Sequence, residues 1–160
     1  MNSPDQAEVI SRETLIAWKK GDKGAFGKIV RATMKRAYAV ALGLVGNADD
    51  AHDLSQEAFI AVHRARKRFD IDRPFFPWFY RVLRNRCLNY LKKRAGRREI
   101  SLDVLEERVG RGSADEELLR VERIEMVWRA LFTLSPEHRE ILILRNFEEL
   151  SYSEISGVLG

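Results

Sequence analysis

The segment of residues 78–98, WFYRVLRNRCLNYLKKRAGRR, carries lysines and arginines along its whole length and no acidic residue. On a helix, one narrow stripe of this segment contains Trp78, Arg81, Asn85, Asn89 and Lys92. Cations hold phosphates, whereas asparagine amides and aromatic rings can hydrogen-bond to bases or stack on them. The segment is therefore predicted to bind nucleic acid. The alternative is a cationic face that only meets solvent.

The other side of the same helix is apolar. It carries Phe79, Leu83, Cys87 and Tyr90, roughly opposite the polar stripe, which suits a core face. Cys87 is the single cysteine, which excludes an internal disulfide and a multi-cysteine zinc site. Its place on the apolar side predicts a buried structural thiol rather than a reactive one.

A second polar stripe lies on the helix predicted before this segment. Asp53, Gln56, Glu57 and Ile60 recur at spacings i, i+3, i+4 and i+7, so they share one face. Carboxylates and a glutamine around one apolar residue suit a protein-binding surface. A solvated face is the alternative.

Enzyme chemistry has little support in the sequence. Asp49, His52, Asp53 and Glu57 have helical spacing that could hold a divalent metal, but no second cluster completes the site. Acidic residues in the first turns of a helix are explained by the helix dipole. Neither a phosphate-cradling glycine loop nor a nucleophile paired with a base is evident. We expect no enzymatic activity, no metal and no cofactor, and a metal-dependent nuclease is the weakest alternative.

The composition is that of an ordinary folded chain. Of its 160 residues, 45% are hydrophobic and 32% charged, which is enough to bury a core in one or two domains. The net charge of +4 is uneven, with the cations concentrated in residues 64–98 and an acidic stretch at 99–125. No apolar run reaches the ~18 residues that span a membrane. We expect a cytoplasmic protein without membrane insertion.

Apolar periodicity predicts an all-α fold. A first helix is expected at 12–20, a second from Asp22 to Gly46, and a third from about residue 48 with an inward stripe that reaches Phe69. Prolines then predict a loop at 70–77.

Three more helices are expected in the second half of the chain. The first, at 115–133, turns either Val127 or Trp128 inward. The second begins at Pro136 and has Leu142 among its apolar residues. The third is capped by Ser151.

The sequence predicts two small helical domains joined by a flexible linker. The expected parts are a flexible N-terminus at 1–11, a first domain at 12–97, a linker at 98–113 and a second domain at 114–160. The final short helix before Gly160 is typical of the first half of a helix-turn-helix. The second domain is therefore expected to be incomplete and to lack the recognition helix. A simple helical hairpin is the alternative.

Three blocks together closely resemble bacterial RNA polymerase sigma factors of the extracytoplasmic-function type. They are DAHDLSQEAFIAVHRARKRF, RPFFPWFYRVLRNRCLNYLKKRAGRR and LSPEHREILILRNFEELSYSEISGVLG. The likeness runs from about residue 13 onward. It implies a bundle like sigma region 2 followed by a partial domain like sigma region 4, joined by a connector that threads the polymerase channels.

The resemblance also implies roles for particular residues. The segment that docks on the clamp helices of the largest polymerase subunit corresponds to Asp50, Asp53, Gln56, Glu57 and Ile60. The segment that reads the −10 promoter element corresponds to Trp78, Arg81, Asn85, Asn89, Lys92, Lys93 and Arg94. Within it the asparagines would contact bases, and the cations would hold phosphates.

The loop before the basic helix is implied to capture an unpaired base. Its residues are Asp70, Ile71, Asp72, Arg73, Phe75 and Phe76. The alternative is that at least one of the two phenylalanines plugs the core between helices.

The resemblance implies a transcription initiation factor that binds core RNA polymerase and helps to melt and hold the −10 element of promoter DNA. An anti-sigma protein is implied as a further partner. The alternative function is a helix-turn-helix DNA-binding regulator that acts without polymerase.

Overall fold

The computed structural model describes residues 10–96, 126–147 and 152–159, and every regular element in these ranges is helical. The elements are α1 (Arg12–Lys20), α2 (Lys23–Val45), α3 (Ala48–Arg64), a short 3₁₀ turn (Arg66–Arg68), α4 (Phe75–Gly96), α5 (described over 126–132), α6 (Pro136–Phe147) and α7 (Tyr152–Leu159). The predicted all-α fold is confirmed. Residues 1–9 of the expected N-terminus, the linker, Ser151 and Gly160 lie outside the described residues.

Capping residues explain where α2 and α3 begin and where α1 and α2 end. The side chains of Asp22 and Asn47 accept hydrogen bonds from backbone N–H groups at the starts of α2 and α3, at 2.8 and 2.9 Å. Gly21 and Gly46 end α1 and α2 with φ of 104° and 74°, a left-handed conformation that glycine adopts without steric cost. The predicted bounds of α1 and the predicted end of α2 are therefore confirmed.

The core of the first helix group (α1–α4) is rich in aromatic side chains. An aromatic cluster forms around Trp18 of α1, which is fully buried and contacts four other rings. Its members are Trp18, Phe26, Phe69, Phe75 and Trp78. The cluster fixes the start of α4 against α1 and α2, so α4 has a defined position in the bundle.

The connection between α3 and α4 differs from the prediction. Helix α3 ends at Arg64, and Phe69 reaches the core only after the 3₁₀ turn. Helix α4 begins at Phe75, inside the stretch predicted to be a loop. Pro77 then lies in the first turn, where backbone N–H groups need no helical partner, so it does not interrupt the helix.

The second helix group (α5–α7) packs against the first. Trp128 of α5, Ile143 and Leu144 of α6 and Ile155 of α7 are buried in a hydrophobic cluster that continues from α2 and α4. Of Val127 and Trp128, one of which was predicted to face inward, it is Trp128 that does. In α6, Ile143 faces the core, whereas Leu142 is 39% exposed.

His63 links α1 and α3 and is expected to make stability depend on pH. The Trp18 indole donates to Nδ1 of His63 at 3.2 Å, and the Phe26 ring lies 4.4 Å from the imidazole. Burial, and then the charges of Arg66 and Lys23, lower the pKa of His63, so folding favours the neutral ring. As the pH falls, His63 therefore takes up a proton in the unfolded chain before it does so in the folded chain. The stability that the neutral ring contributes above the unfolded pKa of about 6.5 is lost as the pH falls below it.

We expect the thermal unfolding midpoint of the native chain to drop between about pH 7 and about pH 5 more than that of His63→Gln, which stays neutral. His52→Gln changes an exposed histidine in the same helix and serves as the control. Equal pH dependence in the native chain and His63→Gln would contradict this role.

Candidate nucleic-acid interface and partner-binding face

The polar stripe of α4 is mostly open to solvent. Asn85, Asn89, Lys92 and Lys93 are exposed, and they follow one another over two turns of the helix. Leu83 and Cys87 on the opposite side are fully buried. The inner side of α4 is thus packed in the core, and its amides and cations point outward. A ligand with phosphates and base edges has access to them.

Trp78 begins the stripe but is only partly exposed. Its ring lies 5.1 Å from Phe69 and 6.3 Å from Trp18, within the aromatic cluster. Trp78 therefore positions the start of the stripe and leaves only part of its ring available for stacking.

Two cations of the predicted site have partners inside the protein. Arg81 donates to the backbone carbonyl of Gly157 in α7. The guanidinium of Arg94 lies 3.7 Å from the carboxylate of Asp50 in α3. In this arrangement both arginines would have to exchange these contacts for phosphates.

The loop before α4 exposes its polar residues and buries its rings. Asp70, Asp72 and Arg73 are exposed, and Asp72 pairs with Arg12 of α1 at 2.6 Å. Phe75 and Phe76 are only 4% and 6% exposed. Both rings pack in the core, as in the alternative stated above, so a base captured here would meet the polar loop residues and the half-buried Ile71.

The outer face of α3 presents the predicted partner-binding residues together. Asp53, Gln56, Glu57 and Ile60 are all exposed, and Ile60 is 52% exposed although it is a large apolar residue. An open depression of about 490 Å³ lies beside them, lined by Glu57, Ile60, Ala61, Arg64 and Arg86. Glu57 pairs with Arg86 of α4 at 2.9 Å. One apolar anchor within a polar rim is the usual composition of a transient protein interface.

Asp50 lies apart from that group. Its carboxylate accepts a hydrogen bond from the Tyr90 hydroxyl at 2.6 Å and faces Arg94. Asp50 therefore joins α3 to α4, and its contribution to any partner surface would be indirect.

Cys87 has the environment expected of a structural thiol. It is fully buried on the inner side of α4, and this burial raises the pKa of the thiol to about 12. The thiolate is therefore scarce at neutral pH. Among the described residues, no group of three or more histidine, cysteine, aspartate or glutamate side chains could hold a metal ion. None of the helices in the described ranges is long and apolar enough to cross a membrane.

A cluster between the two helix groups was missed by sequence reasoning. The Tyr80 hydroxyl and the Arg84 guanidinium both donate to the carboxylate of Glu140 in α6, the latter at 2.6 Å. Burial raises the pKa of Tyr80, and the hydrogen bond to Glu140 raises the pKa of Arg84. One signal in the sequence could have indicated this cluster. Glu140 shares a helix face with Ile143 and Leu144, which are apolar.

Comparison with known proteins identifies the family. The family described as Sigma-70 region 2 matches residues 29–97, and Sigma-70, region 4 matches residues 124–160. The ECF RNA polymerase sigma-E factor of Escherichia coli (strain K12) is 32% identical over 88% of this chain and 78% of its own length. The chain belongs to the ECF sigma factors.

Two solved structures resemble this ECF sigma factor. CnrH, in complex with the cytosolic domain of CnrY, has a TM-score of 0.67 at 26% identity over 94% of this chain and 83% of CnrH. An engineered region 2 of sigmaE in complex with GTAAAA has a TM-score of 0.51 at 31% identity over 62% of this chain and all of the other. The region 2 match contains both the α4 stripe and the α3 face.

Proposed function

We propose that this ECF sigma factor binds core RNA polymerase through α3 and directs promoter-specific initiation by reading and holding the melted −10 element through α4. One observation carries the proposal. The two surfaces, one polar with an apolar anchor and one basic with exposed asparagines, lie on adjacent helices of a single bundle. A factor with this arrangement can fix polymerase at a DNA sequence.

For the polymerase side, we propose that Ile60 is the anchor and that Asp53, Gln56 and Glu57 surround it. Their target is the clamp helices of the largest subunit. An exposed isoleucine between carboxylates fits a partner that offers an apolar pocket with a cationic rim. Asp50 supports this face through Tyr90 and Arg94 rather than by direct contact.

For the DNA side, we propose that Asn85 and Asn89 contact bases of the non-template strand, while Lys92, Lys93, Arg81 and Arg94 hold its phosphates. The exposed positions of the asparagines and lysines support this assignment. The similarity to a region 2 solved with GTAAAA also supports it. An unpaired base would be captured by the exposed loop at 70–73 and not by Phe75 or Phe76.

We further propose that the second helix group belongs to a region 4-like domain whose full form reads the −35 element, and that an anti-sigma protein binds this chain. Support for the first part comes from the region 4 match at residues 124–160. Support for the second comes from CnrH, which was solved with another protein's cytosolic domain bound to it.

Retention on core RNA polymerase tests the proposal against a regulator that acts alone. The chain is mixed with purified core polymerase and separated by gel filtration, with and without promoter-free DNA. We expect the chain to elute with the polymerase in both cases. Elution of the chain at its own volume, together with binding to free duplex DNA, would instead support the polymerase-independent regulator.

A further inference from the structure

We propose that Arg12 and Lys19 of α1 are positioning residues for the base-capture loop (residues 70–73), and that they set how sharply this loop selects the unpaired base of the −10 element. The selection of a base rests on the proposed function. The positioning of the loop rests only on contacts within the chain. Neither Arg12 nor Lys19 is assigned a contact with DNA.

One face of α1 reaches the base-capture loop at two points. Arg12 and Lys19 are seven positions apart, so they lie on the same side of the helix, about two turns from each other. The ammonium of Lys19 donates to the backbone carbonyl of Phe69 at 2.7 Å, where the chain leaves the core for the loop. The guanidinium of Arg12 donates to Oδ1 of Asp72 at 2.6 Å. The loop is therefore attached to α1 at its start and again near its end.

The base-capture loop also has a turn of its own. Oδ1 of Asp70 accepts a hydrogen bond from the Asp72 N–H at 3.1 Å, and the Asp70 carbonyl accepts one from the Arg73 N–H at 3.1 Å. Ile71 is half-buried and packs against the core. These bonds give the loop a shape, and the two contacts with α1 determine where that shape lies.

The same helix is fixed relative to the α4 stripe. The ring of Trp18, next to Lys19, lies 6.3 Å from Trp78, which begins the stripe, and 5.8 Å from Phe69. Helix α1 therefore contacts both the loop and the start of α4. A base in the loop and the bases along α4 belong to one strand, so a fixed distance between the two sites favours one register of that strand.

Arg12 also changes what the loop offers to a base. A carboxylate accepts hydrogen bonds from the amino group of a base but repels phosphates. Arg12 binds Oδ1 of Asp72 and offsets its charge, while Oδ2 of the same carboxylate can accept from a base. A carboxylate that is already oriented loses less conformational freedom when the base binds.

These contacts add more to selection than to stability. The side chains of Arg12 and Asp72 are 58% and 72% exposed, and ion pairs this exposed contribute little to folding. The cores of α1 and of the aromatic cluster do not depend on either cation. Loss of Arg12 or Lys19 should therefore leave the bundle folded and move only the loop.

Lys19→Met tests the positioning, and Lys20→Met is the matched control. Both lysines lie in the last turn of α1, so both changes remove the same charge from the same helix end, and Lys20 is exposed. Amide hydrogen exchange of residues 70–73 is measured in the chain alone. We expect exchange to be faster in Lys19→Met on the order of tenfold, the worth of one hydrogen bond to a charged group, and unchanged in Lys20→Met. Equal exchange in the two variants would overturn the positioning.

Selection of the base is measured with core polymerase and random double-stranded templates, from the sequences of the RNA products. The position that the loop reads is the one whose base preference changes in Asp72→Asn. We expect Lys19→Met to lower the preference at this position roughly two- to thirtyfold, as residues that act on a ligand without touching it do. Lys20→Met should keep the native preference, and so should Lys19→Arg, which keeps a donor for the Phe69 carbonyl.

Arg12→Gln is the second variant and decides the question if Lys19→Met fails to fold. It should lower the preference at the same position, whereas the positions that respond to Asn85→Ala should stay as in the native chain. Faster loop exchange with an unchanged base preference would overturn the role in selection. Equal losses at every −10 position would also overturn it, because they would show a general loss of binding. If the native chain itself adds no −10 motif to the transcripts, the proposed function fails, and the exchange result still decides the positioning.

Discussion

Glu57→Lys is expected to lower the affinity of the chain for core RNA polymerase on the order of 30-fold, because it reverses a charge beside the Ile60 anchor. Removing one partner of a charge pair at an interface costs about 2–5 kcal/mol of binding free energy. The fold should tolerate the change. The Glu57 side chain is 58% exposed, and its pair with Arg86 is also partly exposed, so the pair contributes at most about 1 kcal/mol. The measurement is a titration of labelled chain with core polymerase.

Glu13→Lys is the control for Glu57→Lys. It makes the same change in net charge on an exposed residue of α1, away from the proposed face. We expect polymerase affinity close to that of the native chain. Equal affinity of the native chain and Glu57→Lys, with both folded, would remove α3 from the polymerase contact.

Asn85→Ala is expected to reduce discrimination between −10 sequences by about 1–3 kcal/mol, which is the worth of a good side-chain contact to a base. The alanine keeps α4 helical and removes the amide from an exposed position. The affinity of the variant for preferred −10 sequences should fall toward its affinity for non-preferred −10 sequences. The measurement compares binding of polymerase-bound chain to a panel of −10 variants.

Lys93→Ala provides the contrast to Asn85→Ala. A phosphate contact carries no sequence information, so its loss should weaken binding to all variants alike and make the salt dependence less steep. If Asn85→Ala also weakened all sequences equally, the asparagine would be a phosphate contact and not a base contact.

Local sequence signals predicted the helices of the first group well. Asp22, Asn47 and the glycines at 21 and 46 act through neighbouring backbone groups, so their effect can be read without knowing the tertiary structure. The burial of Cys87 follows from helical periodicity in the same way. These features depend on residues within a turn or two of one another.

Features that depend on distant residues were predicted less well. Whether Phe75 and Phe76 meet a base or the core depends on Trp18 and Arg36, which lie far away in the chain. Which residues of α6 are buried depends on Gly43 of α2, against which Ile143 packs, and no periodicity in α6 points to that contact. The site residues themselves stay predictions, although the structure brings most of them onto two exposed faces.

The interface between the two halves lay beyond sequence reasoning. Its polar contacts join residues 56 or more positions apart, such as Arg84 with Glu140 and Gly43 with Arg139. A buried arginine and glutamate look like surface residues until their partners are known. Glu140 on an apolar helix face was the one local hint.

The proposed function is tested most directly by transcription of random double-stranded templates with core polymerase, with and without the chain. The RNA products of the two reactions are sequenced and compared. We expect transcripts that appear only with the chain and whose templates share a motif about ten base pairs upstream of the start. In Asn85→Ala we expect that shared motif to be weaker. The same transcripts from the same templates with and without the chain would contradict it.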